Sequence, residues 1–217
     1  MPNFYDFNAK SWDASRQNAW GEFEFAKDLL RSKKILDAGC GNGRLNFWLK
    51  ANKFSGAYFG VDSSKKLIAL AKKNFPYQKF TICDLRELTP EISRGLTGKL
   101  PDAVFCIAVL HHLENSADQK KALQNLYDSL RPGGKIFLTT WNLWQPRFWK
   151  YFFRQKLREL EIPFAGKSAR RVYAFTKSEL RELFASAGFQ KIKIFYARHS
   201  QKSNFLRGRN LIVLAEK

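Results

Sequence analysis

The sequence is poor in cysteine, in acidic residues and in long apolar runs. It has 3 cysteines among 217 residues, and an odd number favours buried thiols in a reducing cytoplasm over a disulfide framework. No run of about 18 apolar residues occurs, which excludes a membrane-spanning helix. Residues 1–10 are polar and contain no apolar central stretch, so a secretory signal is not expected. These features predict a cytoplasmic globular protein.

The shortage of acidic residues leaves a large positive charge. Thirty-eight Lys and Arg oppose nineteen Asp and Glu, for a net charge of +19. Residues 144–217 hold 17 basic and 5 acidic side chains, whereas residues 1–143 hold 21 and 14. A charge of this size attracts polyanions, of which nucleic acid and acidic lipid are the usual ones. Solubility or a general lysine bias is the alternative, and the uneven distribution disfavours it.

Internal repeats, low-complexity segments and interdomain linkers are also missing, so residues 1–217 are interpreted as one domain. Strand-like apolar runs alternate with helical patterns. The strand-like runs are 33–39, 57–62, 79–83, 102–109 and 134–141, and the helical patterns are 44–52, 64–75 and 116–130. The alternation predicts an α/β, Rossmann-like, doubly wound sheet that is mostly parallel. Two late runs, 189–198 and 210–217, predict a seven-stranded sheet with an antiparallel C-terminal edge strand.

Local signals place the ends of some helices. Ser116 with Gln119, and Thr176 with Glu179, have the spacing of a capping box. Gly188 is well placed to end the last helix. Residues 1–31 are expected to form a polar and aromatic N-terminal cap, largely helical.

Residues 143–169 form a basic aromatic insertion after the fifth strand. Apolar side chains recur there at helical spacing, at Trp149, Phe152, Phe153, Leu157 and Leu160. The predicted helix has three interpretations: a lid whose aromatic rings stack nucleic-acid bases, a membrane-surface helix, or a helix packed on the core.

A glycine-rich loop after the first strand is the strongest motif. It contains Asp37, Gly39, Cys40, Gly41 and Gly43. Glycines let a backbone approach a ligand closely, and the following helix offers free N–H groups. A dinucleotide fingerprint needs Gly or Ala where this chain has Arg44, and the lysine of a P-loop is absent. The loop therefore favours S-adenosylmethionine (SAM) over NAD.

Polar residues at the next strand ends strengthen this interpretation. Asp62 and Ser63 follow the second strand, where a carboxylate can accept hydrogen bonds from ribose hydroxyls. Asp84 and Leu85 follow the third strand, at the place of an adenine amino group and ring edge. Ala108 follows the fourth strand. A Rossmann-like domain without a cofactor is the alternative.

A SAM-binding loop indicates methyl transfer, and the motifs that are missing limit the possible methyl acceptors. The Asn/Asp-Pro-Pro-Tyr motif of exocyclic amine methylation and the Pro-Cys nucleophile of pyrimidine C5 methylation are absent, which leaves oxygen or carboxylate acceptors, ring nitrogens or small carbanions. His111 is the better candidate for the pocket, and His112 for a supporting or core position. Arg16, Arg170 and Arg171 are candidates to bind a carboxylate or phosphate, with solvated surface positions as the alternative.

These motifs together resemble class I SAM-dependent methyltransferases, and within them the tRNA wobble-uridine carboxymethyl methyltransferase family. The residues that carry the resemblance are Tyr5, Trp12, Arg16 four residues before Trp20, the loop 36–43, the segment 107–113, Trp141, the segment 170–175 and the segment 209–217. Tyr173 stands where the family usually has His, Leu211 replaces a Trp and Ala19 replaces a Pro.

The resemblance implies esterification of a carboxymethyl group on the wobble uridine of tRNA, with SAM as the cofactor. It implies that His111, Arg16 and Arg170 are catalytic, and that Tyr5, Trp12 and Arg16 contact the cofactor. The implied substrate contacts are Trp20, His111, His112, Trp141, Arg170, Arg171 and Asn210. Such enzymes work with a small zinc-binding activator protein. A small-molecule O-methyltransferase for an acidic substrate and a non-catalytic SAM-binding protein remain alternatives.

Overall fold

A computed structural model describes residues 4–14, 18–152, 158–164 and 168–217. The strands are β1 Lys34–Ala38, β2 Ala57–Asp62, β3 Lys79–Ile82, β4 Ala103–Ile107, β5 Lys135–Trp141, β6 Glu159–Phe164, β7 Ser168–Tyr173, β8 Gln190–Arg198, β9 Gln201–Ser203 and β10 Asn210–Glu216. The α-helices are α1 Phe4–Ala14, α2 Leu45–Ala51, α3 Lys65–Asn74, α4 Pro90–Thr97, α5 Ser116–Asp128, α6 Trp149–Phe152 and α7 Lys177–Ser186. Helices of 3-10 type span Gly21–Arg31, Leu110–His112 and Pro146–Phe148.

The main sheet has the order β3-β2-β1-β4-β5-β10-β8-β9. Strands β1 to β5 are mutually parallel, and in β1, β4 and β5 side chains from both faces are buried. This burial explains their nearly continuous apolar sequences. The predicted α/β Rossmann-like fold is confirmed. Since parallel strands end at one edge, Ala38, Asp62 and Ile107 deliver the following loops to the same region.

The sheet has eight strands rather than the predicted seven. The additional strand is β9, which is polar and only three residues long, so it carries no apolar signal. The C-terminal strand β10 is antiparallel to β5, as expected, but it lies between β5 and β8. The edge position belongs to β9, which pairs antiparallel with β8.

The helix predicted within the insertion is confirmed only in part, over Pro146–Phe148 and Trp149–Phe152. Helix α6 ends at Phe152, and the next described element is strand β6. Strand β6 pairs with β7 in a separate two-stranded sheet. Leu160 lies in this hairpin and is fully buried beside Leu143 and Val172. Exposed and buried side chains alternate along β6, which is the period of a strand. Phe153 and Leu157 lie outside the described residues.

Two of the predicted helix signals hold and one needs correction. Thr176 and Glu179 form the predicted capping box, and Gly188, with φ +98°, follows the end of α7. The side chain that caps α5 belongs to Asn115 rather than Ser116, because Asn115 accepts a hydrogen bond from the backbone of Asp118. None of the described helices is long and apolar enough to cross a membrane.

Candidate active site

A cavity of about 470 Å³ opens at the carboxyl edge of the parallel strands. Its size is within the range of about 300–1,000 Å³ that is typical of small-molecule sites. Nine of the residues predicted from the sequence line it: Tyr5, Gly39, Gly41, Asp62, Ser63, Asp84, Leu85, Ala108 and His112. The structure therefore brings most of the expected cofactor residues into one place.

The glycine loop is folded tightly against the neighbouring strands. The N–H groups of Gly39 and Cys40 both donate to the carbonyl of Val61, at 2.7 and 2.9 Å. Gly39 has φ +81°, and a Cβ atom there would lie 2.2 Å from a methyl carbon of Val109. Both the backbone conformation and the lack of space require glycine at this position.

Asp62 is held at the cavity wall by two backbone donors. Gly41 N–H donates to Oδ2 and Ser64 N–H to Oδ1, both at 2.9 Å. Loss of hydration raises the pKa of Asp62, against the lowering effect of these two hydrogen bonds. An ionised carboxylate offers about four acceptor positions, so Asp62 keeps acceptor capacity for a pair of ligand hydroxyls.

Asp84 is fixed by its neighbour Arg86. The Arg86 Nη2 and Nε atoms donate to the two carboxylate oxygens, at 2.7 and 2.9 Å. These bonds lower the pKa of Asp84. Leu85 is buried and adds an apolar wall beside this ion pair. The end of β3 thus combines a polar and an apolar contact surface.

Asp37, Cys40 and Gly43 lie behind the loop rather than in the larger cavity. The Tyr58 hydroxyl donates to Asp37 Oδ2 at 2.8 Å, and burial raises the pKa of Asp37 to about 7. Burial also raises the pKa of the Cys40 thiol. A Cβ atom at Gly43 would lie 2.9 Å from the ring of Phe75. These positions support the loop, although Asp37 and Cys40 also reach a second cavity of about 60 Å³.

Ala108 has an unusual backbone conformation at the end of β4. Its φ is +56°, which is strained for a residue other than glycine. Its N–H donates to both the carbonyl and the hydroxyl of Thr139, each at 3.0 Å. These bonds hold the turn that leads from the cavity into the helix Leu110–His112.

Beside the cavity lies a group that we name the His–Trp–Arg cluster, consisting of His111, His112, Trp141, Phe164 and Arg170. The His111 ring lies 4.2 Å from the His112 ring and 4.7 Å from the Trp141 ring, between centroids. The guanidinium carbon of Arg170 lies 4.5 Å from the Trp141 centroid and 4.7 Å from that of Phe164. Strand β5 and the β6–β7 hairpin bring Trp141 and Arg170 next to His111, although His111 and Arg170 are far apart in the sequence.

The cluster combines a neutral imidazole with a half-buried cation. His111 is fully buried, and burial, followed by the charges of His112 and Arg170, lowers its pKa well below the ordinary value. Neither His111 ring nitrogen has a hydrogen-bond partner among the described residues. Burial also lowers the pKa of Arg170, and a hydrogen bond with Tyr5 opposes this shift. A half-buried guanidinium has lost part of its hydration, and an anionic ligand compensates for that loss.

The other predicted substrate residues lie elsewhere. Arg171 is exposed and forms ion pairs with Glu161 and Glu114, because neighbouring side chains of a strand point to opposite faces. Asn210 pairs with Trp141 across the sheet, but its side chain donates to buried Glu22.

Trp20 lines the smaller cavity, and the guanidinium of Arg44 lies 5.0 Å from its ring. Arg16 and the side chain of Trp12 lie outside the described residues. Among the described residues there is no group of three or more side chains that could hold a metal ion.

Two acidic residues of α1 were missed from the sequence. Asp6 accepts hydrogen bonds from Ser64 Oγ at 2.6 Å and from the backbone of Lys66 at 3.1 Å. Asp13 accepts one from Asn42 in the glycine loop at 2.7 Å. They attach α1 to two walls of the cavity and place Tyr5 between the cavity and Arg170. The Asp6 carboxylate stabilises the N-terminus of α3, a tertiary contact for which the sequence has no local signal.

Comparison with known proteins agrees with this geometry. The profile of a family described as a methyltransferase domain matches residues 13–194. A tRNA (carboxymethyluridine(34)-5-O)-methyltransferase from Arabidopsis thaliana is 33% identical over 138 residues, which cover 63% of this chain and 31% of that protein. A ubiquinone biosynthesis O-methyltransferase from Coxiella burnetii is 33% identical over 117 residues, which cover 52% of this chain and 45% of that protein. The matches thus span less than half of either relative.

Solved structures show the same fold. A SAM-dependent methyltransferase from Clostridium acetobutylicum superposes with a TM-score of 0.68 at 15% identity, over 99% of both chains. A SAM-bound amino pentose methyltransferase from Micromonospora echinaspora superposes with a TM-score of 0.66 at 20% identity, over the whole of both chains. The family match covers most of the sequence, and the chain therefore belongs to the methyltransferase-domain family, as a class I SAM-dependent methyltransferase.

Proposed function

We propose that this enzyme transfers the methyl group of SAM to a carboxylate oxygen of a carboxymethyl-uridine at the wobble position of tRNA. The observation that carries the proposal is the Arg170 guanidinium, which lies against Trp141 beside the cofactor cavity. The net charge of +19 favours a polyanionic substrate. The tRNA methyltransferases from Arabidopsis thaliana and Xenopus tropicalis share 33% and 31% identity with the chain.

The large cavity fits SAM on three grounds. The loop at Gly39 and Gly41 forms a cradle that a Cβ at Gly39 would fill. Asp62 has spare acceptor capacity for the ribose hydroxyls, and Leu85 offers an apolar face to the adenine ring. When bound, SAM supplies an electrophilic methyl group on a positively charged sulfur.

The cluster suits a carboxylate acceptor. A carboxylate oxygen is already a nucleophile and has no proton to lose, so the site needs no general base. Arg170 orients the carboxylate through charge-assisted hydrogen bonds, and neutral His111 adds a donor without a second positive charge. The reacting groups are an anionic carboxylate and a cationic sulfonium, and they become a neutral ester and a neutral thioether. A dry site favours this reaction, since charge disappears as the C–O bond forms.

His112 connects the two parts of the proposed site. It lines the cofactor cavity, and its ring contacts those of His111 and Tyr5 at 4.2 and 5.4 Å between centroids. An acceptor held by Arg170 would therefore approach the cavity past the imidazole of His112. This places the two bound groups side by side, which is the alignment that methyl transfer requires.

A small-molecule O-methyltransferase is the second candidate. The relative from Coxiella burnetii, named a ubiquinone biosynthesis O-methyltransferase, supports it. A phenolic acceptor must lose a proton, whereas burial lowers the pKa of His111 and makes its imidazole a weak base. Acceptor chemistry therefore separates the two candidates. The zinc-binding activator protein and the cytoplasmic location stay predictions.

The test is transfer of radiolabelled methyl groups from SAM to tRNA purified from cells that lack the wobble ester. A small phenol and a small carboxylic acid serve as parallel acceptors. The proposal predicts label on tRNA that mild alkali releases as methanol. Alkali-stable label would move the acceptor atom to nitrogen, carbon or ribose. Label on the phenol alone would favour the second candidate.

A further inference from the structure

Hydrogen bonds hold loop 204–209, which joins β9 to β10, beside the His–Trp–Arg cluster. The Asn142 side chain donates to the carbonyls of Phe205 and Gly208, at 2.7 and 2.8 Å, and Gln145 also bonds to Gly208. The Asn142 backbone donates to the carbonyl of Arg209 at 2.9 Å. Asn142 follows Trp141 directly, so loop 204–209 is fixed one residue away from the cluster.

This arrangement brings two arginines together. Arg147 lies two residues after Gln145, which bonds to Gly208 next to Arg209. Partial loss of hydration lowers the pKa of Arg147, and the positive charge of Arg209 lowers it further. Both side chains are exposed. Segments 144–152 and 199–210 contain no Asp or Glu, and the ion pairs between described residues include neither arginine. A pair of adjacent cations without a carboxylate is suited to an anionic ligand.

Exposed apolar rings lie next to these cations. Trp149 is 50% exposed although its Nε1 donates to the carbonyl of Trp144 at 2.9 Å, so the ring is held in place and still accessible. Phe205 is 42% exposed and contacts the ring of Tyr196 edge to face. Cations with fixed aromatic faces are the combination that binds single-stranded nucleic acid, because each base can stack and each phosphate can pair.

We propose that Arg147, Trp149, Phe205 and Arg209, which we name the Arg147–Arg209 platform, bind the RNA nucleotides that flank the methylated uridine. The inference rests on the proposed function, since it assigns the tRNA contact surface of that site. The platform adjoins Trp141, because the backbone of Asn142 bonds to Arg209 and Asn210 pairs with Trp141 across the sheet. A base in the cluster would therefore leave its neighbouring phosphates within reach of these arginines.

The same cations are poorly arranged for a lipid surface. A membrane-surface helix needs a long apolar face with basic residues on the other side. Here α6 has four described residues, and the chain is in strand β6 from Glu159 onward. The platform is assembled from two segments that are far apart in the sequence, and its exposed rings are separate rather than aligned along one helix.

The test measures the affinity of the purified full chain for unmodified tRNA as a function of KCl concentration. The double variant Arg147→Ala/Arg209→Ala is compared with Lys72→Ala/Lys73→Ala, which removes the same charge from exposed positions in the last turn of α3. Each lost phosphate contact makes the negative slope of log affinity against log salt shallower by about 0.7–0.9. The slope of the platform variant should therefore be shallower than that of wild type by about 1.5. Trp149→Ala should weaken binding roughly tenfold with little change in slope.

Three outcomes would overturn the platform. The first is an unchanged salt slope in the arginine variant, and the second is an equal loss of slope in the lysine control. The third is an arginine variant that loses binding to phosphatidylserine vesicles but keeps its affinity for tRNA. SAM affinity, measured alongside, should stay at the wild-type value in every variant. Binding of tRNA through the platform without ester formation would contradict the proposed acceptor and still support the platform. If the arginine variant keeps both esterification and tRNA affinity, the proposed acceptor is supported and the platform is contradicted.

Discussion

The guanidinium carbon of Arg170 lies 4.5 Å from the centre of the Trp141 ring, although 28 residues separate the two in the chain. Arg170 comes from the β6–β7 hairpin and Trp141 from the end of β5 in the main sheet. The hairpin thus places Arg170, which we propose as the ligand of the acceptor carboxylate, against the main sheet. Stacking on an aromatic ring restricts the guanidinium and makes it a directional ligand.

Replacement of Arg170 should damage turnover more than cofactor binding. Arg170→Ala removes a charge-assisted contact of about 1.5–3 kcal/mol, so kcat/KM for tRNA should fall by roughly 10- to 150-fold. Arg171→Ala is the matched control, because its side chain leaves the opposite face of the same strand and pairs with Glu161 and Glu114. It should stay within about twofold of wild type, in line with the small contribution of exposed ion pairs. Equal losses in both variants would contradict the role of Arg170.

Loss of Asp62 should abolish the binding of SAM. Asp62→Ala removes the proposed ribose acceptor and leaves the N–H groups of Gly41 and Ser64 without their partner. Isothermal titration calorimetry should show affinity reduced by about 100-fold or more, as two hydrogen bonds to a charged group are lost. Glu182→Ala on exposed α7 is the control. Wild-type affinity in Asp62→Ala would refute the ribose assignment.

A pair of glycine substitutions tests the loop geometry. Gly39→Ala should lower the free energy of unfolding by about 1–3 kcal/mol from backbone strain alone, and more from the 2.2 Å contact with Val109. Gly95→Ala lies inside α4 with no atom within 4 Å of the added Cβ, and should raise it by about 0.5–1 kcal/mol. Urea unfolding followed by circular dichroism measures both. A stable Gly39→Ala variant would show that the loop is not packed as described.

Asp37 should make the stability depend on pH. Burial raises its pKa from the ordinary 3.8 to about 7, so between about pH 4 and 7 the folded state keeps a proton that the unfolded state has released. The free energy of unfolding therefore falls as pH rises through this window. Asp37→Asn has no proton to lose, and its stability relative to wild type should increase from pH 4 to 7 and then level off. Parallel pH profiles in urea unfolding would contradict the shift.

The cofactor side of the site was predictable because its residues are adjacent to strand ends. Glycines, Asp62 and Ala108 each follow an apolar run, and the parallel sheet collects these ends at one edge. Asp37 and Cys40 were predicted as cofactor contacts but lie behind the loop. Asp37 is a buried residue of β1 that accepts a hydrogen bond from Tyr58, and Cys40 is a buried thiol in the loop after β1. The spacing of the motif does not reveal these contacts.

The acceptor side was predictable only in part. Aromatic residues at helical spacing suggested one long helix over 144–160, whereas the chain turns into the β6–β7 hairpin. The alternation in that hairpin covers six residues a strand and includes Pro163, so its strand signal is weak. The same alternation separates Arg170 from Arg171, two adjacent arginines that the sequence alone could not rank. The contact between Asp6 and Ser64 depends on tertiary packing of α1 and has no local pattern.

The most direct test of the central claim is mass spectrometry of the anticodon fragment of tRNA after incubation with the enzyme and SAM. The substrate is tRNA that carries carboxymethyl-uridine at the wobble position, and Arg170→Ala serves as the reference with reduced activity. We predict that the wobble nucleoside gains the mass of one methylene group and loses it again in mild alkali. An unchanged wobble nucleoside, or a methyl group on another nucleotide, would contradict the account.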